Sequence, residues 1–106
     1  MAVDQAYLDY ISEQLSGIQD VTTKRMFGGI GFFHAGQMFG MIGGETFRLK
    51  VGEHNQADYE AHGMKPYHSE KKKKGMPYWE VPKVVIDDKE KLTEWAHKAI
   101  EAAQRS

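Results

Sequence analysis

Glycine dominates the centre of this sequence and excludes a long helix there. Seven of the eleven glycines lie between Gly28 and Gly44, interleaved with methionine, phenylalanine and isoleucine. Because a glycine inside a helix costs about 1 kcal/mol relative to alanine, apolar runs interrupted in this way favour strands joined by tight turns. Residues 47–51 then alternate between apolar and basic side chains, which is typical of a strand with one buried face. The segment from Arg25 to Val51 therefore predicts a three-stranded antiparallel meander, with turns at 34–37 and 43–45.

A helix is predicted on the N-terminal side of the meander. Asp4 is placed to cap its first turn, and Gly17 lies where the helix should stop. Its apolar residues recur at the spacing of a helical stripe: Leu8, Ile11, Leu15 and Ile18.

Two helices and a strand are predicted on the C-terminal side. Residues 55–62 carry Asn55 as a cap and are followed by Gly63, which favours a short helix. Residues 78–81 are strand-like and are bracketed by two prolines, so we expect them at a sheet edge. The last helix is predicted to begin after Asp87, with Glu90 completing a capping-box pair. Its apolar face consists of Leu92, Trp95, Ala96, Ala99 and Ile100.

The length of the chain favours one domain over residues 1–106. A chain this short rarely supports two hydrophobic cores. Its composition, 41% hydrophobic and 27% charged, is ordinary for a soluble globular protein. The N-terminus does not resemble a signal peptide, and the apolar stretches are too short to span a bilayer. We therefore expect a cytoplasmic protein without a membrane segment.

Several ordered motifs resemble those of the TfoX/Sxy N-terminal domain family. Residues 25–33, which read Arg-Met-Phe-Gly-Gly-Ile-Gly-Phe-Phe, are similar to the opening signature of that family. Residues 38–42, 47–51 and 78–82 are similar to its later strands, and the C-terminal stripe fits its closing helix. The resemblance implies an α+β fold in two layers, with helices mainly on one face of an antiparallel sheet. It implies the order α-β-β-β-α-β-β-α, with a fourth strand near residues 64–68.

The resemblance also implies a role in regulation. The family takes its name from bacterial regulators of natural competence, which carry a second, C-terminal domain, whereas this sequence ends at Ser106. We therefore expect a stand-alone regulatory or adaptor module that binds another protein or, as a homodimer, a second copy of itself. The first two predicted strands hold more large apolar residues than one sheet face covers. This hypothesis therefore predicts an exposed apolar patch.

Nucleic-acid contact is the alternative hypothesis. Lys71, Lys72, Lys73 and Lys74 form the one basic cluster, with tyrosine and tryptophan nearby in the sequence, and they could touch phosphates. A solubilising loop explains the same lysines, because a net charge of −1 does not steer a polyanion. We expect weak, non-specific binding of nucleic acid or none.

No catalytic or cofactor-binding pattern is recognisable in the sequence. The absence of cysteine excludes thiol chemistry and thiolate metal sites. Gly29 and Gly31 match the first two glycines of a dinucleotide fingerprint, but His34 stands at the position of its third glycine. Strand-like sequence follows where the fingerprint needs a helix. The five histidines do not show the close spacing of metal ligands. We expect neither an enzyme nor a bound cofactor or metal.

A second candidate site follows from alternation along the predicted first strand. If Met26 points to the core, then Arg25, Phe27, Gly29 and Gly31 share the opposite face. The two glycines would leave a bare strip against which a backbone or an aromatic ring can lie. An element of the protein itself, such as the Tyr-Trp strand at 78–79, fills that strip in one interpretation. In the other, a partner segment fills it and Arg25 pairs with a carboxylate of that segment.

Overall fold

The computed structural model describes residues 4–26, 29–44, 46–64, 66–67 and 76–105. The elements in chain order are α1 Gln5–Gln14, β1 Val21–Met26, β2 Gly29–His34, β3 Gln37–Gly43, β4 Thr46–Lys50, α2 Gln56–Glu60, β5 Pro66–Tyr67, β6 Met76–Glu80, α3 Lys83–Ile86 and α4 Lys89–Arg105.

The strands form one antiparallel sheet. Their spatial order is β1-β2-β3-β4-β6-β5, and every neighbouring pair is antiparallel. The predicted α+β class and antiparallel sheet are confirmed. The predicted element order also holds, apart from one additional strand in the meander and the short helix α3. The strand expected near residues 64–68 is β5.

The meander has four strands because the chain turns within the segment predicted as its first strand. β1 begins at Val21, and its pairing with β2 brings Met26 opposite Gly29. The residues from Thr22 to Arg25 are polar or charged and exposed. Because an edge strand with wet side chains lacks apolar alternation, the sequence pattern does not reveal it.

The helices cover one face of the sheet. α4 packs against β3 and β4, and α1 contacts α4. Phe47 and Leu49 of β4 point into this layer and are buried, whereas the intervening Arg48 is only half-buried. The predicted stripes of α1 and α4 lie in the same core, where Ile11 and Leu92 are fully buried. The predicted two-layer arrangement is therefore confirmed.

Turn chemistry agrees with the sequence at the β2–β3 hairpin. Ala35 and Gly36 have φ values of 52° and 81°, as a two-residue hairpin turn of the primed type requires. The turn predicted at 34–37 is confirmed. At the next turn Gly44 has a φ of 62°, while residue 45 lies outside the described residues.

Two predictions on the C-terminal side were wrong. β6 does not lie at the sheet edge, because the two-residue strand β5 pairs with its outer side. The cap of α4 is Asp88, whose Oδ1 accepts a hydrogen bond from the Lys91 N–H at 3.2 Å. Asp87 instead ends α3. Either aspartate fits the capping pattern in the sequence, and the fold selects the second.

The predicted caps of the two earlier helices also differ in their chemistry. Asp4 caps α1 as expected, since its Oδ1 accepts from the Ala6 N–H at 3.0 Å. Asn55 precedes α2 but does not cap it with its side chain. Its Oδ1 accepts from the Gly52 N–H at 2.7 Å, and its Nδ2 donates to the Lys50 carbonyl at 3.3 Å. This buried asparagine therefore fixes the turn between β4 and α2.

Candidate functional site

The three described residues of the predicted strip do not share one face of a single strand. Arg25 lies on β1, Gly29 and Gly31 lie on β2, and Phe27 lies outside the described residues. Arg25 pairs with Ile30 of the core, so it points toward the helix-covered face. Gly29 and Gly31 lie on the opposite face by alternation. The premise of a single strand through these residues was wrong.

Gly29 packs closely within the sheet itself. A Cβ at this position would collide with the carbonyl oxygen of Ile42 on β3. The approach of β3 to β2 therefore requires a residue without a side chain here. The neighbour that occupies this space is β3 and not the β6 segment suggested by the sequence.

A cleft forms where the N-terminal half of α1 meets α3 and the ends of β4 and β6. Its volume is about 330 Å³. The lining residues combine aromatic rings, two carboxylates and one ammonium group: Tyr7, Tyr10, Thr46, Phe47, Glu80, Val81, Lys83, Ile86 and Asp87. The mixture of apolar walls and polar groups is typical of a surface that recognises a ligand or a peptide side chain.

Asp87 is the central polar group of the cleft. The Tyr10 hydroxyl donates a hydrogen bond to Asp87 Oδ1 at 2.6 Å, and Lys83 Nζ donates a hydrogen bond to Oδ2 at 2.5 Å. These two hydrogen bonds lower the pKa of Asp87, so the carboxylate stays ionised. The Gln14 amide donates to the Ile86 carbonyl at 2.8 Å. The Tyr10 and Gln14 contacts join α1 to the end of α3, whereas the Lys83–Asp87 pair lies within α3 and its C-terminal cap.

Tyr7 is a half-buried phenol in the cleft. Burial raises the pKa of Tyr7, and the carboxylates of Glu80 and Asp87 raise it further, against an opposing backbone hydrogen bond from Phe47. A neutral phenol with two nearby carboxylates favours a cation as the bound group. The two tyrosine rings also offer faces to which a cation can bind.

Two apolar side chains stand out at the surface near this cleft. Val84 is 66% exposed and Tyr10 is 40% exposed, and these are the exposed large hydrophobic residues of the described ranges. Val84 follows Lys83 on the single turn of α3, whose other apolar residues, Val85 and Ile86, are buried. Tyr10 lines the cleft, and Val84 is next to the lining residue Lys83 in the sequence, so both exposed side chains lie on helices that form the cleft.

The family model of the TfoX N-terminal domain matches residues 13–103. The chain belongs to the TfoX N-terminal domain family. A search of curated proteins finds no significant match. The resemblance inferred from the sequence motifs is therefore confirmed over most of the chain.

The cleft of this TfoX N-terminal domain was not found from the sequence. Tyr7, Tyr10 and Gln14 follow one another at spacings of three and four, so they form a second row beside the apolar stripe of α1. That row was the available signal. The role of Asp87 was hidden because its long-range partner, Tyr10, is 77 residues away in the chain.

The other predicted sites remain predictions or fall outside the description. Lys71 to Lys74 lie outside the described residues. Within the described ranges, no group of histidine, aspartate and glutamate side chains is arranged to hold a metal ion. The same part of the chain contains no helix that is both long and apolar enough to cross a membrane.

Proposed function

We propose that this TfoX N-terminal domain is a cytoplasmic regulatory module that acts by binding another protein through the cleft between α1 and α3. The role is binding without turnover. The observation that carries the proposal is that the exposed apolar side chains of Tyr10 and Val84 lie on the two helices that form a cleft with two carboxylates. An exposed tyrosine is the kind of side chain that contributes most to protein interfaces.

The chemistry of the cleft favours a basic partner residue. Glu80 and Asp87 supply two negative charges, and Lys83 already neutralises part of one of them. A lysine or arginine of the partner would insert between the tyrosine rings, while an apolar neighbour would pack on Val84. The family's association with competence regulators supports a regulatory purpose for such binding.

Site-specific crosslinking tests this proposal. A photoreactive phenylalanine analogue replaces Val84 in one variant and Gln104, an exposed residue near the end of α4, in the control. We expect a defined protein to crosslink from position 84 and not from position 104. A second copy of the chain as the captured protein would identify the partner as self.

Affinity measurements on the captured partner complete the test. Val84→Glu and Tyr10→Ala should each weaken binding at least about tenfold, as interface hot spots do. Gln104→Glu makes the same charge change as Val84→Glu at an exposed position that does not line the cleft, and it should leave the affinity unchanged. Equal binding by wild type and both cleft variants would refute the proposal.

A further inference from the structure

The outer edge of β1 is a second, separate surface. β1 pairs with β2 through all six of its residues, and no other strand of the described residues pairs with it. At about 3.4 Å per residue it offers an edge of about 20 Å. Along such an edge, alternate backbone N–H and C=O groups face outward without a strand partner. The opposite edge of the sheet is the two-residue strand β5.

Most structural devices that block edge pairing are absent from β1. The strand contains no proline, and its register with β2 runs without a bulge from Val21 to Met26. Its protection consists of two cations, Lys24 and Arg25, both exposed. Neither forms a salt bridge with any residue in the described part of the chain. Charges of this kind discourage pairing with a like-charged strand and leave pairing with an acidic one open.

A groove runs beside this edge on the helix-covered face. It encloses about 310 Å³ between the C-terminal end of α1 and the sheet. Its lining is mixed, with the apolar side chains of Leu15, Ile18, Val21 and Phe32 beside the hydroxyl groups of Ser12, Ser16 and Thr23. A strand added to β1 would therefore place every second side chain next to this groove.

We propose that the outer edge of β1 accepts an extended acidic segment of a partner protein as an additional antiparallel strand. Strand addition to an exposed edge is a recurring mode of peptide recognition, in which backbone hydrogen bonds give affinity and alternate side chains give specificity. The surface is distinct from the α1–α3 cleft, so this proposal stands or falls independently of the function proposed above.

The register of β1 specifies the partner sequence. Arg25 points to the helix-covered face and Lys24 to the opposite face, because they pair with Ile30 and Gly31. An antiparallel partner would place two consecutive acidic residues opposite Arg25 and Lys24. The partner residues two and four positions after the first acid would then lie opposite Thr23 and Val21. These two residues would be apolar, and their side chains would enter the groove. A second copy of the chain fits poorly, since β1 paired with itself would gather four cations on two strands.

A synthetic peptide with this pattern tests the proposal. The probe is acetyl-Ser-Glu-Glu-Val-Thr-Val-Thr-Ser-amide, titrated into the isotope-labelled full chain with backbone amide NMR as the readout. We expect shifts at residues 21–26 and along the groove, and weaker binding when the salt concentration rises from about 50 to 500 mM. Failure of the peptide to bind, or shifts confined to other surfaces, would overturn the proposal.

Backbone pairing is distinguished from simple charge attraction by N-methylation. Two further peptides carry N-methyl groups on alternate residues. One peptide is methylated at its odd-numbered positions and the other at its even-numbered positions. Because only one set of N–H groups can face β1, one methylated peptide should bind and the other should not. Equal binding by both methylated peptides would exclude strand addition.

Charge exchange tests the assignment of the two cations. Lys24→Glu and Arg25→Glu should each weaken peptide binding at least about tenfold, and the double variant should instead bind a peptide with lysines in place of its glutamates. Lys91→Glu, an exposed substitution on α4, is the matched control and should bind like wild type. Unchanged affinity in both β1 variants would overturn the assignment. If the wild type forms a dimer that requires β1, the edge binds a second copy of the chain and not an acidic segment of another protein, and the proposal fails.

Discussion

Replacing Tyr59 by phenylalanine should stabilise this protein. The Tyr59 side chain is 1% exposed, and its ring centroid lies 4.7 Å from that of Trp95 and 6.0 Å from that of Trp79. Its buried hydroxyl has no hydrogen-bond partner within the described residues. A buried polar group without a partner costs about 1–3 kcal/mol. Tyr59→Phe removes that hydroxyl and keeps the aromatic packing, so the free energy of unfolding at neutral pH should rise by about 1 kcal/mol.

The stabilisation should grow at alkaline pH. Burial raises the pKa of Tyr59, and the nearby Asp58 carboxylate adds to the rise. In the unfolded chain the phenol ionises near its ordinary pKa of about 10, whereas in the folded chain it keeps its proton. The unfolded state therefore binds fewer protons above that pH, and wild-type stability falls by up to about 1.4 kcal/mol per pH unit from this group. The Tyr59→Phe variant lacks this loss.

Urea unfolding followed by tryptophan fluorescence measures both effects. The free energy of unfolding of wild type and Tyr59→Phe is compared at neutral pH and above pH 10. Tyr10→Phe is the matched control, because its hydroxyl is exposed and donates to Asp87 at 2.6 Å. At neutral pH the free energy of unfolding should fall in Tyr10→Phe and rise in Tyr59→Phe. A Tyr59→Phe protein less stable than wild type would show that the hydroxyl contributes favourably, and the reasoning would fail.

Three single substitutions test other parts of the structure, and a fourth change tests the lysine cluster. Gly29→Ala should lower the free energy of unfolding by about 2 kcal/mol or more, since its Cβ meets the Ile42 carbonyl oxygen. Gly36→Ala, where only the positive φ is at stake, should cost about 1 kcal/mol in the same denaturation assay. Asn55→Ala should lower the thermal midpoint, at a cost of about 2 kcal/mol, because it removes the hydrogen bonds of a buried side chain to the Gly52 N–H and the Lys50 carbonyl. We expect the wild type to bind DNA weakly at physiological salt, and replacing Lys71–Lys74 with glutamine should change that affinity little. Submicromolar binding by the wild type that is lost in this variant would contradict the prediction.

Helices α1 and α4 were predictable because their signals are local, whereas the single turn α3 was not predicted. The apolar positions of α1 and α4 recur every three or four residues, and burial of Ile11, Leu15, Leu92 and Ala99 matches that period. Asp4 as the cap of α1 was equally readable, since its acceptor oxygen bonds a backbone N–H two residues away. Such features depend on neighbours within one or two turns, which the sequence displays directly.

β1 could not be predicted from the sequence. Because β1 was missed, the candidate strip was built from residues that belong to two different strands. An edge strand needs β-propensity and one paired side, and neither produces an apolar repeat. Residues 22–25 therefore read as polar surface, and Arg25 was joined to the glycines that follow it. The glycine-rich signature, read as one strand, instead spans a hairpin in which Arg25 and Gly31 point to opposite faces.

The α1–α3 cleft could not be predicted for a different reason. Its central contacts join Tyr10 to Asp87 and Gln14 to the Ile86 carbonyl across more than seventy residues of chain. No local pattern encodes such a pair, because its geometry depends on how α1 packs in the tertiary fold. The sequence predicted a cap at Asp87, and the shift of that cap to Asp88 leaves the Asp87 carboxylate available for the cleft.

Helix α1 connects the two proposed surfaces. Ile11 within the helix and Leu15 just after its end are buried in the core, and Tyr7 and Leu8 pack against the same core. Tyr7 and Tyr10 near its start line the cleft, whereas Leu15, just after its end, lines the groove beside β1. Burial of an aliphatic side chain contributes about 1.5–3 kcal/mol, whereas an exposed ion pair such as Glu13 with Lys89, at 3.7 Å, contributes little. Hydrophobic packing therefore holds α1 in place, and the exposed hydrogen bond from Tyr10 to Asp87 adds a polar contact to α3. Each of the two surfaces contacts a different end of this helix.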